Sequence, residues 1–394
     1  MPAKPLSAIA AERGLIGGPF GSSLVSKDYV LTGIPVIRGA NMGFGRFIGG
    51  EYAFVSTEKF ERDLSRNTAA PGDIVYTQRG TLGQVSLVPP GPIDTYVVSQ
   101  SQMRLRVDGT KAVPEFVYYA STTPQFLKQI EDRAISTGVP HTNLGILSAL
   151  EIPLPPLPEQ QAIAEVLGAL DDKIAANTAL AATADELVRA EYASLDAPTV
   201  RVGDVADSPR SGVDPSTVDP GSLYVGLEHI GRRNVWLTEG GRAEEVSSGK
   251  SRFEARDVLF GKLRPYFHKV VAAPRSGICS TDVLVVRSRD PLESSVLLAA
   301  LSSDRVIEEV VSASEGTRMP RTSWKDLAAV EVRWPEPEVV GSIASRLDGL
   351  RDATWASLAE NRTLAATRDA LLPQLMLGKL RVRDAERLAS DAGA

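Results

Sequence analysis

A long apolar stripe between Pro155 and Leu195 most constrains the fold of this 394-residue chain. Prolines open the segment, and they favour extended backbone and end any earlier helix. Apolar residues then recur three or four positions apart, which places them on one helix face: Ile163, Leu167, Leu170, Ile174, Ala181, Ala184, Val188, Tyr192 and Leu195. Such a helix is roughly 55 Å long, and so long a stripe needs a partner of similar length.

A second copy of this stripe lies later in the same chain. Residues 343–350 repeat the apolar positions of 163–170 at an offset of 180, and residues 361–371 repeat 177–187 at an offset of 184. The second copy has gained four residues, about one helical turn, so the helix continues with little drift of its stripe. Either helix alone is equally well interpreted as an exposed coiled coil of any kind, but the segments before the helices are duplicated too.

The two segments that precede the helices share one order of predicted elements. In residues 1–154 we predict β-strands at 34–37, 74–77, 84–88 and 102–107 and a helix at 116–130. Residues 197–334 repeat this order, with strands at 258–260 and 280–287 and a helix at 296–311. We interpret Gly80, Gly83, Gly138 and Gly316 as turn residues. The predicted architecture is therefore globule, helix, globule, helix.

The loops of the two globules differ much more than their predicted strands. After the central strand the first globule has QRGTLGQ (78–84), whereas the second has KLRPYFHK (262–269). Similar frames with unlike loops indicate two related modules that bind different targets, although duplicated segments also diverge by drift.

Composition excludes several classes of protein. The single cysteine, Cys279, rules out an internal disulfide, fits a reducing cytoplasm and is interpreted as a small buried apolar residue. We expect no metal cluster, no membrane span and no signal peptide. The net charge of −6 comes from residues 153–196, with eight acidic and two basic residues. Both globules are nearly neutral, so a basic face requires that their charges segregate.

These residues carry a resemblance to a known family. The first half contains GPFGSSL (18–24), GIPVIRGANM (33–42), GDIV (72–75), RGTLG (79–83) and IPLPPLPEQ (152–160), and the second contains DVLFGKLRP (257–265) and LLPQLMLGKLRV (371–382). In their joint order and duplicated layout, which cover nearly the whole chain, they resemble the specificity subunit of a type I restriction–modification system.

The resemblance implies an α/β fold of two duplicated target-recognition domains separated by two long antiparallel helices in a coiled coil. We place the first recognition domain at 1–154, the first spacer helix at 155–196, the second domain at 197–334, the second helix at 335–380 and a tail at 381–394.

The family's function implies DNA recognition without catalysis in this chain. Two modification subunits would bind the helix pair and supply adenine methylation with S-adenosylmethionine, and restriction subunits would supply ATP- and Mg-dependent translocation and cleavage. The sequence has no methyltransferase tetrapeptide of the Asn/Asp-Pro-Pro-aromatic kind and no P-loop. We therefore expect no cofactor in this chain and a cytoplasmic location.

Candidate contacts follow from side-chain chemistry, because Arg and Lys suit guanine and Asn and Gln suit adenine. For DNA we select Arg38, Asn41, Arg79, Thr81, Gln84, Gln100, His229, Arg232, Lys262, Arg264, Tyr266 and Lys269. For the partner subunits we select Glu165, Leu170, Asp171, Asp172, Leu347, Leu350 and Asp352. Two other classes stay open: a coiled-coil scaffold without a DNA role, and a stand-alone DNA-modifying enzyme.

Overall fold

Two compact units make up the chain. The computed structural model describes residues 2–43, 45–135, 138–313 and 319–394. Unit 1 comprises Met1–Ile174 and Arg362–Ala394, and unit 2 comprises Ala175–Asn361. Each unit contains both helices and β-sheets, which confirms the α/β class. The division falls inside the two long helices, and the finer domain boundaries given above stay predictions.

Unit 1 is built on two sheets, of four and five strands, and a short two-stranded pair. Its strands are β1 (Ala3–Pro5), β2 (Ala10–Gly17), β3 (Tyr29–Val30), β4 (Ile34–Ile37), β5 (Ala53–Val55), β6 (Thr68–Ala69), β7 (Ile74–Thr77), β8 (Val85–Leu87), β9 (Tyr96–Val98), β10 (Gln102–Val107) and β11 (Glu151–Pro153). The sheet orders are β2-β10-β7-β8, β3-β5-β4-β9-β6 and β1-β11. Its helices are α1 (Leu6–Ile9), α2 (Thr57–Lys59), α3 (Pro114–Ser121), α4 (Pro124–Arg133) and α5 (Leu144–Ala149), followed by the long α6 (Leu157–Ala193).

Unit 2 has sheets of the same sizes. Its strands are β12 (Thr199–Arg201), β13 (Ala206–Asp207), β14 (Gly212–Val213), β15 (Leu223–Val225), β16 (Gly241–Arg242), β17 (Lys250–Phe253), β18 (Val258–Gly261), β19 (Val270–Ala272), β20 (Gly277–Cys279), β21 (Val283–Ser288) and β22 (Glu331–Arg333). The sheet orders are β13-β21-β18-β19, β14-β17-β20-β15-β16 and β12-β22. Its helices are α7 (Val202–Val205), α8 (Ser294–Leu301), α9 (Asp304–Ala313) and α10 (Trp324–Ala329); the long α11 (Pro337–Met376) follows, and α12 (Val382–Asp391) belongs to unit 1.

An ion pair between a buried aspartate and a partly exposed arginine occupies the same place in both units. Arg106 of β10 donates two hydrogen bonds to the Asp73 carboxylate, at 2.8 and 2.7 Å, just before β7. Arg287 of β21 binds Asp257, just before β18, in the same way at 2.8 and 2.8 Å. Both carboxylates are 3% exposed. The duplicated sequence order therefore folds into a duplicated frame, because the same strands are joined by the same pair of charges.

The two long helices run antiparallel within each unit. In unit 1, Arg368 of α11 donates to Asp171 of α6 at 2.7 Å. In unit 2, Asn361 lies against Asn177, and Arg346 pairs with Glu191. From Asn177 to Glu191 the position in α6 moves toward its C-terminus, whereas the partner in α11 moves from Asn361 back to Arg346. The two helices therefore run in opposite directions. Their apolar stripes are buried together with the sheets and shorter helices of the same unit, as the period predicts.

The single helix predicted at 116–130 is wrong, and so is its counterpart at 296–311. The structure has α3 and α4 in the first case and α8 and α9 in the second. Pro124 has no N–H to continue α3, and the Thr123 hydroxyl caps α4 by accepting from the Phe126 N–H at 3.3 Å. In unit 2 the hydroxyls of Ser302 and Ser303 donate to the carbonyls of Ala299 and Ala300 at the break.

Burial agrees with the interpretation of the single cysteine. Cys279 lies at the core of unit 2, and burial raises the pKa of its thiol to about 12. None of the helices in the described ranges is long and apolar enough to cross a membrane. Across those same ranges, no three His, Cys, Asp or Glu side chains come together in a way that suits a metal ion.

Candidate nucleic-acid interface

A cavity of about 230 Å³ in unit 1 collects two of the predicted DNA contacts, Arg38 and Gln100. It is lined by Leu24, Tyr29, Arg38, Gly39, Ser99, Gln100 and Ser101. The Arg38 guanidinium lies 5.8 Å from the centre of the Tyr29 ring, and its buried Nε has no hydrogen-bond partner among the residues that the structure describes. Partial burial raises the pKa of Tyr29, so its phenol stays neutral beside the arginine.

The exposed Arg79 lies next to this cavity. Its backbone N–H donates to the Ser101 carbonyl at 3.3 Å, so the turn after β7 adjoins the cavity wall. Thr81 is exposed in the same turn, and the half-buried Gln84 accepts from the Thr77 hydroxyl at 3.4 Å. Gly80 and Gly83 have φ of 105° and 87°, which confirms their role as turn residues. Gly138 has φ of 82°, and Gly316 lies outside the described residues.

Asn41 is a correction, because the structure removes it from the possible DNA contacts. Its side chain is fully buried. The amide oxygen accepts from the Arg38 N–H at 3.0 Å, and the amide nitrogen donates to the carbonyls of Gly49 and Glu51 at 3.0 Å each. With both ends of the amide occupied, Asn41 shapes the loop that presents Arg38.

In unit 2 the loop 262–269 holds a cluster of cations and aromatic rings. The Arg232 guanidinium lies 3.9 Å and the Arg264 guanidinium 5.9 Å from the centre of the Phe267 ring. The Tyr266 ring packs edge-on against Phe267 at 4.8 Å and is 50% exposed. Stacked guanidinium and aromatic groups of this kind are suited to contact with nucleobases.

Three predicted DNA contacts of unit 2 form hydrogen bonds to backbone groups of other residues in the same unit. Lys262 donates to the Thr281 carbonyl at 2.6 Å, and Lys269 donates to the Leu227 carbonyl. Partial burial lowers the pKa of Lys269. His229 accepts from the Gly226 N–H at 3.0 Å through Nδ1. DNA would have to compete with these bonds, but all six predicted contacts of unit 2 remain predictions.

His268 anchors this loop, and sequence reasoning missed it. The ring is 3% exposed, and its Nε2 lies 2.7 Å from the Ser302 carbonyl, so it donates there. Arg189 of α6 approaches the same nitrogen at 3.4 Å. Desolvation lowers the pKa of His268. Both His268 and Arg264 have left-handed backbone, with φ of 53° and 52°, and such strain persists only where surrounding contacts enforce it.

The predicted partner contacts on the helices divide into exposed and buried groups. Glu165 is exposed, and Asp172 and Asp352 have side chains 67% and 60% exposed and are paired with Arg46 and Arg351. Leu350 is half-buried. These four stay predictions.

The structure does not support Leu170, Leu347 and Asp171 as contacts for partner subunits. Leu170 and Leu347 are 0% and 1% exposed, because each fills the core of its own unit. The Asp171 side chain is 10% exposed and accepts from Arg368 and from the Tyr119 hydroxyl, each at 2.7 Å. Its charge is therefore used inside unit 1.

Comparisons with known proteins give one consistent result. A family model described as the type I restriction modification DNA specificity domain matches residues 32–184. The EcoDI specificity subunit of Escherichia coli is 26% identical over 156 residues, which cover 38% of this chain and 33% of that relative. The HindI specificity subunit of Haemophilus influenzae is 28% identical, covering 31% of this chain and 27% of its own length. The chain thus spans a third or less of these two relatives.

Two further proteins match along nearly the whole chain. The MjaIX specificity subunit of Methanocaldococcus jannaschii is 24% identical over 412 residues, which cover 94% of this chain and 92% of that relative. The crystal structure of a type I restriction–modification S subunit from M. genitalium covers 95% of each chain, with 18% identity and a TM-score of 0.57. The latter is a likeness of fold.

Proposed function

This chain belongs to the specificity subunits of type I restriction–modification systems, and from that premise we propose that it reads a bipartite DNA target, one half-site per unit. The observation that carries the proposal is a common frame with unlike loops. The Asp73–Arg106 and Asp257–Arg287 pairs hold equivalent strands, whereas the loops beyond them present Arg38 and Arg79 in unit 1 and Arg232 and Arg264 in unit 2. Arginine suits both guanine edges and phosphates.

The chain acts, in this proposal, as a recognition component without chemistry of its own. Two modification subunits bind the paired helices and carry S-adenosylmethionine, restriction subunits carry the ATP- and Mg-dependent reactions, and the assembly works in the cytoplasm. The non-DNA scaffold is not favoured, because a scaffold would need neither duplicated sheets nor arginine-bearing loops. The stand-alone DNA-modifying enzyme is not favoured, because the sequence has neither the methyltransferase tetrapeptide nor a P-loop.

Methylome sequencing tests the DNA proposal directly. A host that carries the complete system should methylate adenines in a two-part motif separated by an unread gap. A deletion of this gene alone should abolish that methylation while the modification subunit is still expressed. Methylation that persists without this chain, or a motif of one uninterrupted part, would contradict the proposal.

The surface of the helix pair tests the partner proposal. We expect Glu165→Lys with Asp172→Lys to reduce co-purification of the modification subunit by about tenfold, because exposed interface charges affect association and specificity. Glu386→Lys is the matched control, since Glu386 is exposed on α12 of the same unit. Circular dichroism should be unchanged in both variants. If the wild type, the Glu165→Lys/Asp172→Lys variant and the Glu386→Lys variant all co-purify equally with the modification subunit, these carboxylates are excluded as docking contacts.

A further inference from the structure

Each unit exposes one aromatic side chain among the residues that the structure describes. Phe20 of unit 1 is 82% exposed, and Tyr266 of unit 2 is 50% exposed. In both cases the preceding residue is a buried proline, Pro19 or Pro265. The two loops occupy different places in the two folds, since Phe20 precedes β4 and Tyr266 follows β18. An exposed aromatic residue after a buried proline therefore occurs once in each unit, on loops that are not equivalent.

The loop of Phe20 is held from several sides. Gln100 donates to the carbonyls of Gly21 and Leu24 at 2.7 and 3.1 Å. The Gly18 N–H donates to the Gln102 carbonyl at 3.0 Å. A Cβ on Gly18 would lie 1.9 Å from the Ser99 oxygen, so the loop lies directly against that backbone. Phe20 is thus exposed on an ordered loop, where its apolar ring is left in water in the free chain.

The turn of Tyr266 is equally constrained. Left-handed residues flank it on both sides, and its centre is a single 3₁₀ turn over Pro265–Phe267. The buried His268 fixes one end through Ser302, and the Arg264 N–H donates to the Pro320 carbonyl at 2.9 Å at the other. This strained turn presents the tyrosine ring rather than burying it.

Arginines pack against the Tyr266 turn, and in unit 1 they lie around Gln100, the residue that holds the Phe20 loop. Gln100, which holds the Phe20 loop, shares a cavity with Arg38 and adjoins Arg79 through Ser101. Tyr266 packs on Phe267, against which Arg232 and Arg264 lie. A surface that carries both an exposed aromatic ring and arginines suits a polyanion that also offers flat apolar faces. DNA has this chemistry, with phosphates on the outside and stacked bases within.

We propose that Phe20 and Tyr266 are stacking wedges, one in each unit, that insert against or between bases of the half-site while the neighbouring arginines hold the backbone. This inference rests on the proposed function and deepens it. Rigid apolar side chains that enter a base step unstack it and place the bases beside them in a defined position. Because every base has a stacking face, the wedges contribute affinity and register more than base identity.

The test uses the complex with its modification subunit and a duplex carrying the target found by methylome sequencing. Phe20→Ala and Tyr266→Ala should each weaken binding by roughly 5- to 150-fold, the usual range for loss of one base–aromatic stack. The slope of log affinity against log salt should not change, because no ion pair is lost. Arg38→Ala should instead lower that slope by about one. When 2-aminopurine replaces a base of the half-site, its fluorescence should increase at one position on binding of the wild type, because the base there is unstacked. The increase should be absent with Phe20→Ala.

Matched variants separate a wedge from a general apolar effect. Phe20→Trp should retain binding, and Leu388→Ala, which removes an exposed leucine on α12, should leave it unchanged. Unchanged affinity and 2-aminopurine emission in both alanine variants, with normal binding by the wild type, would overturn the wedges alone. Loss of the modification subunit from Phe20→Ala would assign the ring to a protein contact and also overturn the proposal. Absence of wild-type binding to the methylated motif would overturn the proposed function itself.

Discussion

The two units share a frame and differ in how they build the loop beyond it. In both, an aspartate just before the central strand binds an arginine of the neighbouring strand. Unit 1 then turns with glycines at positive φ, Gly80 and Gly83, whereas unit 2 places Arg264 and His268 in left-handed backbone. A left-handed non-glycine residue costs about 1–3 kcal/mol. The comparison shows that the same strand frame can carry either a loop whose glycines adopt positive φ without strain or a loop whose non-glycine residues adopt it under strain.

Exchange of one unit's sheets and loops would break the comparison most completely. If each unit reads its own half-site, replacing 197–333 with the corresponding segment of a relative should replace one half of the methylated motif and leave the other half intact. The physical reason is that the three sheets of unit 2 lie entirely within 197–333, so the exchange leaves the sheets and loops of unit 1 unchanged. Methylome sequencing is the measurement. A motif altered in both halves, or in neither, would show that the units do not read independently.

A change in helix length separates reading from spacing. Four residues inserted between Asn177 and Glu186 add about 6 Å and keep the apolar stripe nearly in phase. At about 3.4 Å per base pair, we expect unchanged half-sites and a gap longer by one or two base pairs. A two-residue insertion is the control, because it turns the stripe to the opposite face and should abolish activity. An active four-residue variant that keeps the original gap would refute the helix pair as a spacer.

The buried carboxylates should differ in importance between the units. Asp73 faces the buried Arg104 at 3.6 Å as well as Arg106, whereas Arg287 of unit 2 also pairs with the exposed Glu254. We expect Asp73→Asn to destabilise unit 1 by about 3 kcal/mol and Asp257→Asn to destabilise unit 2 by about 2 kcal/mol. These values lie at or below the lower end of the range for fully buried pairs, because Arg106 and Arg287 are partly hydrated.

Hydrogen exchange of the amides in β7 and β10, and in β18 and β21, measures this difference unit by unit. Asp132→Asn, which breaks an exposed pair with Lys128, should cost less than 0.5 kcal/mol. Equal losses for Asp73→Asn and Asp257→Asn would remove the proposed role of Arg104.

The smallest expected effect is a pH dependence confined to unit 2. His268 has a lowered pKa, from burial first, with Arg189 and Arg233 adding to the shift and Asp304 opposing it. Since the unfolded histidine binds a proton near pH 6.5 and the folded one resists it, this contribution to stability is full above about pH 7.5 and falls as the pH drops through 6.5. The protection of the amides in 262–269 against hydrogen exchange, taken relative to their intrinsic exchange rates, should therefore fall on acidification to pH 5.5, and it should not fall in His268→Gln. An equal loss of protection in residues 78–84 would point to a different cause.

Periodicity predicted the elements that depend on short-range order. Strands β4, β7 and β10 lie where β-prone runs end in Gly, Pro or Asp, and the burial of Ile163, Leu167 and Val188 follows their spacing. The break between α3 and α4 was missed because Phe116–Ile130 keeps a helical apolar period, although Pro124 and the Thr123 cap were local signals against one helix.

The candidate site was less predictable, because partners in space decide which side chains are free. Asn41 has the chemistry of an adenine contact, but Gly49 and Glu51 occupy its amide. Asp171 has the charge of a docking residue, but Arg368, far away in sequence, lies against it. Phe20 carried a usable signal, a large ring after proline in a glycine-rich loop, which the search for charged and amide side chains passed over.

The discontinuity of unit 1 has a consequence for synthesis on the ribosome. Unit 2 is one continuous stretch, Ala175–Asn361, whereas unit 1 needs Leu364, Leu371 and Leu375 from its second segment to complete its core. At about 5–20 residues per second, the intervening stretch takes roughly 10–40 s to translate. Over that interval the early part of unit 1 holds an uncovered apolar helix face. Unit 2 is therefore expected to complete its folding first, and the nascent half of unit 1 is the segment on which chaperones would act.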